Sequence, residues 1–187
     1  MSGEDHGLLG LRATDGRIPM LKQKGFSLIE LLIVIAIILV IAAIAIPNLL
    51  RARMAANDSS AAGSMHTIDV AEAGYFGSYE TVGFPATLAS LGGAQPCTPS
   101  ITTACLLDQS LAGGGPKSGY SFTATGSAGL GSPINNQFYA TGTPISAMTG
   151  TRAYCSVEDL VIRLQPAGNT TLVATYAACR ALSPASN

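Results

Sequence analysis

The sequence has few charged side chains and no excess of basic ones. Only 11% of its 187 residues are charged, and 10 basic residues stand against 11 acidic ones, which gives a formal net charge of −1. A nucleic-acid-binding protein needs a clear surplus of Lys and Arg to contact phosphates. The balance therefore excludes that class of protein, and we predict no nucleic-acid partner.

Histidine is also scarce, which limits the metal and catalytic sites that the chain can build. The two histidines are His6 and His66, and the four cysteines include no Cys-x-x-Cys pair. A zinc site lacks its usual ligand spacing, and a Ser-His-Asp arrangement lacks a good candidate base. We expect no metal ion and no cofactor.

Three short motifs that resemble enzyme sites have simpler interpretations. Residues 113–118 end like a phosphate-binding loop, but Pro116 removes a backbone N–H from it. Glu158 and Asp159 are adjacent, and neighbours on a strand point to opposite faces. The triplet Asn169-Thr170-Thr171 is of the glycosylation type. We interpret these as a turn, a turn with solvated charges and a loop, and we predict that the protein is not an enzyme.

In contrast to these absences, the chain has one long apolar run, residues 26–46, in which only Ser27 and Glu30 are polar. As a helix it would reach about 31 Å, roughly the thickness of the bilayer hydrocarbon. A secretory signal usually has a shorter apolar region followed by a small-x-small cleavage site, and this run continues into Pro47 instead. The run therefore predicts an uncleaved membrane anchor.

Basic residues on the two sides of the run predict its orientation. Four precede it and two follow it: Arg12, Arg17, Lys22 and Lys24, then Arg51 and Arg53. Because such flanks favour the cytoplasmic side, we expect a cytoplasmic N-terminus and a periplasmic head. If translation begins at Met20, only two basic residues remain upstream and the bias disappears.

The helical pattern continues beyond the apolar run, over residues 47–80. One apolar stripe has spacings of three, four or seven and consists of Met54, Ala61, Met65, Ile68, Tyr75 and Tyr79. Pro47 removes one backbone hydrogen bond and crowds the carbonyl four residues before it, which predicts a bend near Ala43.

Residues 81–187 form a turn-rich region that we predict to be a single globular head. A short helix is possible at 105–112. Alternating patterns predict strands at 120–124, 137–140 and 160–164, with a further one at 171–176. An antiparallel sheet of three or four strands needs a partner for its apolar face, so we expect an α+β fold in which the sheet packs on the long helix.

The most informative motif lies at 22–34, where Lys-x-Lys-Gly precedes Phe26 and is followed by Ser, two aliphatic residues and Glu30. A carboxylate inside a membrane span costs about 2.5 to 3.5 kcal/mol at the centre, though less near the edge. If the segment is an ordinary membrane anchor, the Glu30 side chain only reaches back to the membrane–water interface on the cytoplasmic side. In this context, residues 24–53 resemble the class III signal of type IV prepilins and of type II secretion pseudopilins.

The resemblance implies a pilin-like fold and a defined maturation. A prepilin peptidase would remove a leader, residues 1–25, by cutting after Gly25 and would then methylate the new amino group of Phe26. In that family the carboxylate at the position of Glu30 is thought to neutralise the amino terminus of a neighbouring subunit. The implied partners are further copies in a helical filament, the peptidase, an inner-membrane assembly platform and, before assembly, the inner membrane.

The lack of tryptophan bears on the choice between a type IV pilin and a type II secretion pseudopilin. The major pseudopilin usually carries an Asp-Pro-Trp-Gly-like loop and an acidic calcium-binding loop near its C-terminus, whereas this chain has no Trp. The difference favours a pilus subunit. A type II secretion pseudopilin and a single-pass anchored periplasmic binding domain remain the alternatives.

The four cysteines predict disulfide bonds if the head is exported. Three pairings are possible, and we favour Cys97 with Cys105 and Cys155 with Cys179, because each pair joins segments that are separated by a short turn-rich stretch. The alternative is four buried free thiols, which an oxidising compartment disfavours.

Overall fold

The computed structural model of the protein describes residues 25–185. They divide into two compact units, one ending at Ala42 and the other beginning at Ala43. Except for Gly25, the predicted leader and its four basic residues lie outside the described residues. The predicted boundaries at 25, 46 and 80 stay predictions.

A single long helix, α1, covers Leu28–Ser78, or 51 residues. This confirms the predicted long helix, which was expected to end near Tyr79. Pro47 lies inside α1, and the helix continues on both sides of it although Pro47 donates no backbone hydrogen bond. The bend near Ala43 stays a prediction.

The apolar stripe of α1 forms one side of the head's core. Ala61, Met65, Ile68 and Tyr75 are buried, while Met54 and Tyr79 at the two ends of the stripe are half-buried. The same side of the helix also buries Asp69 and Glu72. The stripe predicted from the sequence is therefore the packing face of the helix.

Four antiparallel strands form one sheet in the order β1-β2-β3-β4. They are β1 (Tyr120–Ser127), β2 (Gln137–Pro144), β3 (Tyr154–Val157) and β4 (Arg163–Leu164). The β1–β2 hairpin has a continuous register from Tyr120 opposite Pro144 to Ser127 opposite Gln137. Together with α1, this sheet confirms the predicted α+β, pilin-like fold.

The two faces of the sheet pack on different helices. Tyr120, Phe122, Phe138, Ala140 and Tyr154 share a core cluster with the apolar stripe of α1. On the other face, Cys155 and Val157 pack with Val173 and with Cys179 of the short helix α3 (Tyr176–Arg180). Because a strand alternates its side chains between faces, β3 contributes to both clusters and is buried throughout.

One of the predicted strands is wrong, and another is only partly correct. Only Arg163–Leu164 of the segment 160–164 forms a strand, because Leu160 has a positive φ of 57° and residues 158–160 turn the chain. The segment 171–176 is not a strand but leads into α3, where the Thr175 side chain caps the helix by accepting from the backbone N–H of Ala178. The strand β3 was missed.

The short helix predicted at 105–112 is only partly correct. Cys105 has a positive φ of 59°, so the chain cannot be helical there. The helix α2 covers only Gln109–Ala112, and the Asp108 side chain caps it by accepting from Leu111 N–H. A 3-10 helix, Leu88–Leu91, was not predicted, and it buries Leu88 and Leu91 against the core.

Candidate functional site

The residues of the predicted processing site lie in one short segment at the start of α1. Gly25, Phe26 and Ser27 have no regular structure, and the helix begins at Leu28. The Phe26 side chain is 77% exposed, and no atom lies within 4 Å of the position that a Cβ would take at Gly25. The peptide bond between Gly25 and Phe26 therefore lies outside the helix, next to an exposed side chain.

Glu30 lies in the first turn of α1, four residues after Phe26. Its side chain is exposed. A negative charge in this position interacts favourably with the unpaired N–H groups at the helix N-terminus. The structure therefore places Gly25, Phe26 and Glu30 within six consecutive residues, with the carboxylate one turn into the helix.

The apolar side chains that follow Glu30 are almost all exposed. Within residues 26–46 only Ala42 is half-buried, and every other side chain is exposed. The helix is long and apolar enough to cross a membrane. Soluble monomers rarely expose a continuous apolar surface of this size, so its native surroundings are themselves apolar.

Two disulfide bonds join the cysteines of the head. They link Cys97 to Cys105 and Cys155 to Cys179, and each pair has a Cα–Cα distance of 6.0 Å. These are the two pairs that the sequence analysis favours. The first closes the loop between the 3-10 helix and α2, and the second joins β3 to α3.

The adjacent carboxylates of Glu158 and Asp159 pair with arginines rather than with each other. Two nitrogens of Arg163 donate to Asp159 at 3.0 and 2.6 Å, and these bonds hold the pKa of Asp159 below its ordinary value. Glu158 accepts from Arg180 at 3.3 Å and from the Tyr176 hydroxyl. The expected turn is present, but its charges are paired instead of merely solvated. Among residues 25–185, no three His, Cys, Asp or Glu side chains converge as metal ligands do.

A hydrogen-bonded contact between α1 and the loop after β2 was not anticipated from the sequence. Asp58 of α1 accepts from the Tyr120 hydroxyl at 2.5 Å, from the Thr151 N–H at 2.9 Å and from the Thr151 hydroxyl. Next to it, the Asn57 amide donates to the Thr149 carbonyl at 2.7 Å. Burial and the bond to Asp58 raise the pKa of Tyr120, which keeps its hydroxyl a donor. The contact fixes the middle of α1 to the head.

Sequence reasoning also missed the buried acidic pair Asp69 and Glu72. A signal was available, because Glu72 follows Ile68 by four residues and Met65 by seven, so it lies on the apolar stripe. A carboxylate at a core position is unusual in any soluble domain.

Two comparisons with known proteins concern the N-terminal segment. The family model for the prokaryotic N-terminal methylation motif matches residues 20–46. The type IV wide pilus major component PilA4 of Thermus thermophilus is 68% identical over 40 residues in the N-terminal region. This match covers 21% of the present chain and spans about 30% of the relative's length. No solved structure matches the chain.

The matched residues coincide with the motif identified from the sequence. The family model includes Gly25, Phe26 and Glu30 and ends at Ile46, the last residue of the apolar run. The resemblance of this segment to type IV prepilins is thereby confirmed. The chain carries a prepilin-type N-terminal methylation motif.

Proposed function

We propose that this chain is the precursor of a structural subunit of a type IV pilus-like filament. The observation that carries the proposal is the methylation motif at residues 20–46, which includes the apolar segment of α1 with its exposed side chains. An exposed apolar helix suits a membrane span before assembly and a helix-packed filament core after it. The relative with the similar N-terminus is itself a major component of a type IV pilus.

Maturation begins with removal of the leader. A prepilin peptidase cuts after Gly25, and the amino group of Phe26 is then methylated. The lack of regular structure at Gly25–Ser27 and the exposure of Phe26 support this step, because a peptidase needs an accessible, non-helical peptide bond. Residues from Phe26 onward remain in the processed chain.

The subunit is a single-pass protein of the inner membrane until it is assembled. Its N-terminus faces the cytoplasm and its head faces the periplasm, where the two disulfides form. An inner-membrane assembly platform transfers it into the filament, which extends into the periplasm or beyond the cell.

Glu30 serves assembly rather than folding. Among packed apolar helices both the amino terminus of Phe26 and a carboxylate are desolvated, and pairing between neighbouring copies offsets a cost that neither charge bears alone. The exposure of Glu30 leaves its carboxylate accessible to a second copy. The head contains its own core and does not depend on this residue.

The test compares Glu30→Leu with Glu80→Leu, which removes an exposed carboxylate of the head. Glu30→Leu makes the span more hydrophobic, so insertion and processing should be at least as efficient as in the wild type. Loss of one partner of a buried ion pair typically costs about 3 to 5 kcal/mol, so few or no filaments should form. Glu30→Gln should be intermediate or equally severe, because an amide does not neutralise the amino terminus.

Two measurements are needed for each variant. Immunoblotting of membranes measures the processed subunit, and electron microscopy of sheared material measures filaments. Glu80→Leu should match the wild type in both. A wild-type filament yield with Glu30→Leu would mean that the carboxylate only reaches the membrane interface, as in an ordinary anchor.

A further inference from the structure

The core of the head contains two acidic side chains on one turn of α1. Asp69 is 3% exposed and Glu72 is fully buried. Their spacing of three residues puts both on the same side of the helix, the side that faces the sheet. Both residues lie beyond the segment 26–46, in the part of α1 that packs on the head.

Hydrogen bonding satisfies only one of their four carboxyl oxygens. The hydroxyl of Ser156, in β3, donates to Asp69 Oδ1 at 2.5 Å, and both groups are buried. Within the part of the chain that the structure describes, Asp69 Oδ2 and both oxygens of Glu72 are buried without a hydrogen-bond partner. A buried carboxylate with no compensating partner is strongly disfavoured in its ionised form, so burial favours the protonated form of both groups.

Apart from Ser156, no neighbouring charged or polar side chain among the described residues donates a hydrogen bond to the pair. Arg163, in β4, is bonded to Asp159, and the charge of Asp159 acts against ionisation of Asp69. The Tyr75 hydroxyl, one turn beyond Glu72, donates to the Ile101 carbonyl at 2.7 Å. His66 lies on the exposed side of α1, and its charge lowers the pKa of Asp69.

These surroundings raise the pKa values of both carboxyl groups. Burial raises the pKa of Asp69 to about 6, against the hydrogen bond from Ser156 and the charge of His66. Burial, and then repulsion from Asp69, raises the pKa of Glu72 to about 8. Near neutral pH the folded head therefore keeps a proton on Glu72 that the unfolded chain releases.

We propose that Asp69 and Glu72 act as a pH-dependent latch between α1 and β3. While both carboxyl groups are protonated, the packing of α1 on β3 is stable, and loss of a proton destabilises it. The geometry that carries the proposal is the set of three buried carboxyl oxygens without partners, which the single bond from Ser156 to Asp69 Oδ1 does not compensate. The latch is a property of the head and does not depend on the proposed filament function.

The direction of the pH effect follows from the raised values. Unfolded, Asp69 and Glu72 lose their protons at their ordinary values of 3.8 and 4.5. Between those values and about 8, the folded head binds more protons than the unfolded chain. The stabilisation is therefore complete in acid and is lost as the pH rises through about 6 and then about 8.

The experiment uses the full chain in detergent and follows its thermal unfolding by near-ultraviolet circular dichroism of the tyrosines. Histidines ordinarily change charge between pH 5 and 8, so all variants carry His66→Gln. The parent is compared with Glu72→Gln, which resembles the protonated side chain, and with Glu80→Gln, which removes an exposed carboxylate.

The unfolding midpoint of the parent should fall by at least about 5 °C between pH 5.5 and 8.5, and Glu80→Gln should follow the same curve. The fall should be less than half as large in Glu72→Gln. A parent whose midpoint is constant over this range, or a Glu72→Gln curve parallel to that of the parent, would overturn the latch.

Infrared spectroscopy keeps the proposal testable if Glu72→Gln does not fold. The protonated carboxyl C=O stretch is recorded in a Glu30→Gln background, so that the carboxyl group of the apolar segment does not contribute. The band should be present at pH 6.5 and should weaken by pH 9. Its absence at pH 6.5 in the folded protein would show that the pair is ionised and would refute the proposal.

Discussion

The apolar side chains of residues 26–46 and those of the head have opposite surroundings. In the head, Tyr75, Tyr120 and Phe138 are buried in a core to which the helix and the sheet both contribute. In the apolar segment, nearly every side chain is exposed. The head therefore obtains its hydrophobic stabilisation within one chain, whereas the segment would obtain it from the membrane or from the other copies in the proposed filament.

The acidic residues of the two regions also differ in whether their surroundings come from the chain itself. Glu30 is an exposed carboxylate in apolar surroundings that lie outside the chain, while Glu72 is enclosed by the chain itself. In the proposed filament Glu30 is paired with a charge of another copy, whereas in the proposed latch Glu72 carries a proton. The comparison indicates that substitutions in the head change stability, and substitutions in the segment change assembly.

The largest expected effect comes from shortening a leucine in each region. Leu91 is fully buried in the head, and Leu39 is 66% exposed in the apolar segment. Leu91→Ala should lower the free energy of unfolding of the head by about 3 to 5 kcal/mol, because it removes buried area and leaves a cavity. Leu39→Ala should change it by less than about 0.5 kcal/mol. Thermal unfolding of the two purified variants measures both effects, and equal losses would remove the distinction between the regions.

The next effect comes from the disulfide between β3 and α3. Replacing both Cys155 and Cys179 by Ala should cost about 3.5 kcal/mol by the loop-entropy model, against about 2.6 kcal/mol for the pair Cys97 and Cys105. Residues 26–46 contain no cysteine, so a reductant should destabilise the head alone. Thermal unfolding with and without reductant tests this, and non-reducing peptide mapping of exported protein tests the pairing. Free thiols at all four positions would contradict the account, whereas crossed links would contradict only the pairing.

A smaller effect is expected where α1 is fixed to the loop after β2. Asp58→Ala leaves the Thr151 N–H without its acceptor and removes the acceptor of the Tyr120 hydroxyl, which also lies 2.9 Å from the Arg152 carbonyl. The loss should be about 1.5 to 3 kcal/mol, as for hydrogen bonds to a charged group. Glu80→Ala, at an exposed carboxylate, is the control and should be neutral. The comparison of their unfolding midpoints decides whether the contact stabilises the head.

The smallest effect is a gain in stability. Gly77 lies within α1, and a Cβ there has no atom within 4 Å, so Gly77→Ala should stabilise the head by about 0.5 to 1 kcal/mol. At Gly142 a Cβ would lie 3.0 Å from the Phe122 ring and 3.3 Å from the Met65 sulfur, where α1 approaches β2. Gly142→Ala should therefore destabilise. A rise in midpoint for Gly142→Ala would show that the helix packs less closely on the sheet than described.

Local sequence patterns predict much of the fold. The apolar period makes α1 recognisable almost to its last residue, and alternation makes β1 and β2 recognisable. Alternation fails for β3, because all four of its residues, Tyr154–Val157, are buried between two layers. The alternating pattern wrongly predicts a strand at 171–175, where β-branched residues lead into the cap of α3.

The candidate sites also differ in how far the sequence alone can predict them. Gly25, Phe26 and Glu30 lie within six residues, so a local motif is sufficient to identify them. The bonds of Asp58 to Thr151 and of Asp69 to Ser156 join residues 93 and 87 positions apart. No pattern in the sequence specifies which donor meets a helix carboxylate across that distance, so these contacts required the folded chain.

Mass spectrometry of the N-terminus of protein recovered from sheared filaments tests the central claim most directly. The account predicts a chain that begins with an N-methylated Phe26, in material that electron microscopy identifies as filaments. A chain that retains Gly25 and residues before it, in cells with an active prepilin peptidase, would contradict the account. So would a correctly processed chain that is confined to the membrane under conditions in which the cells produce filaments.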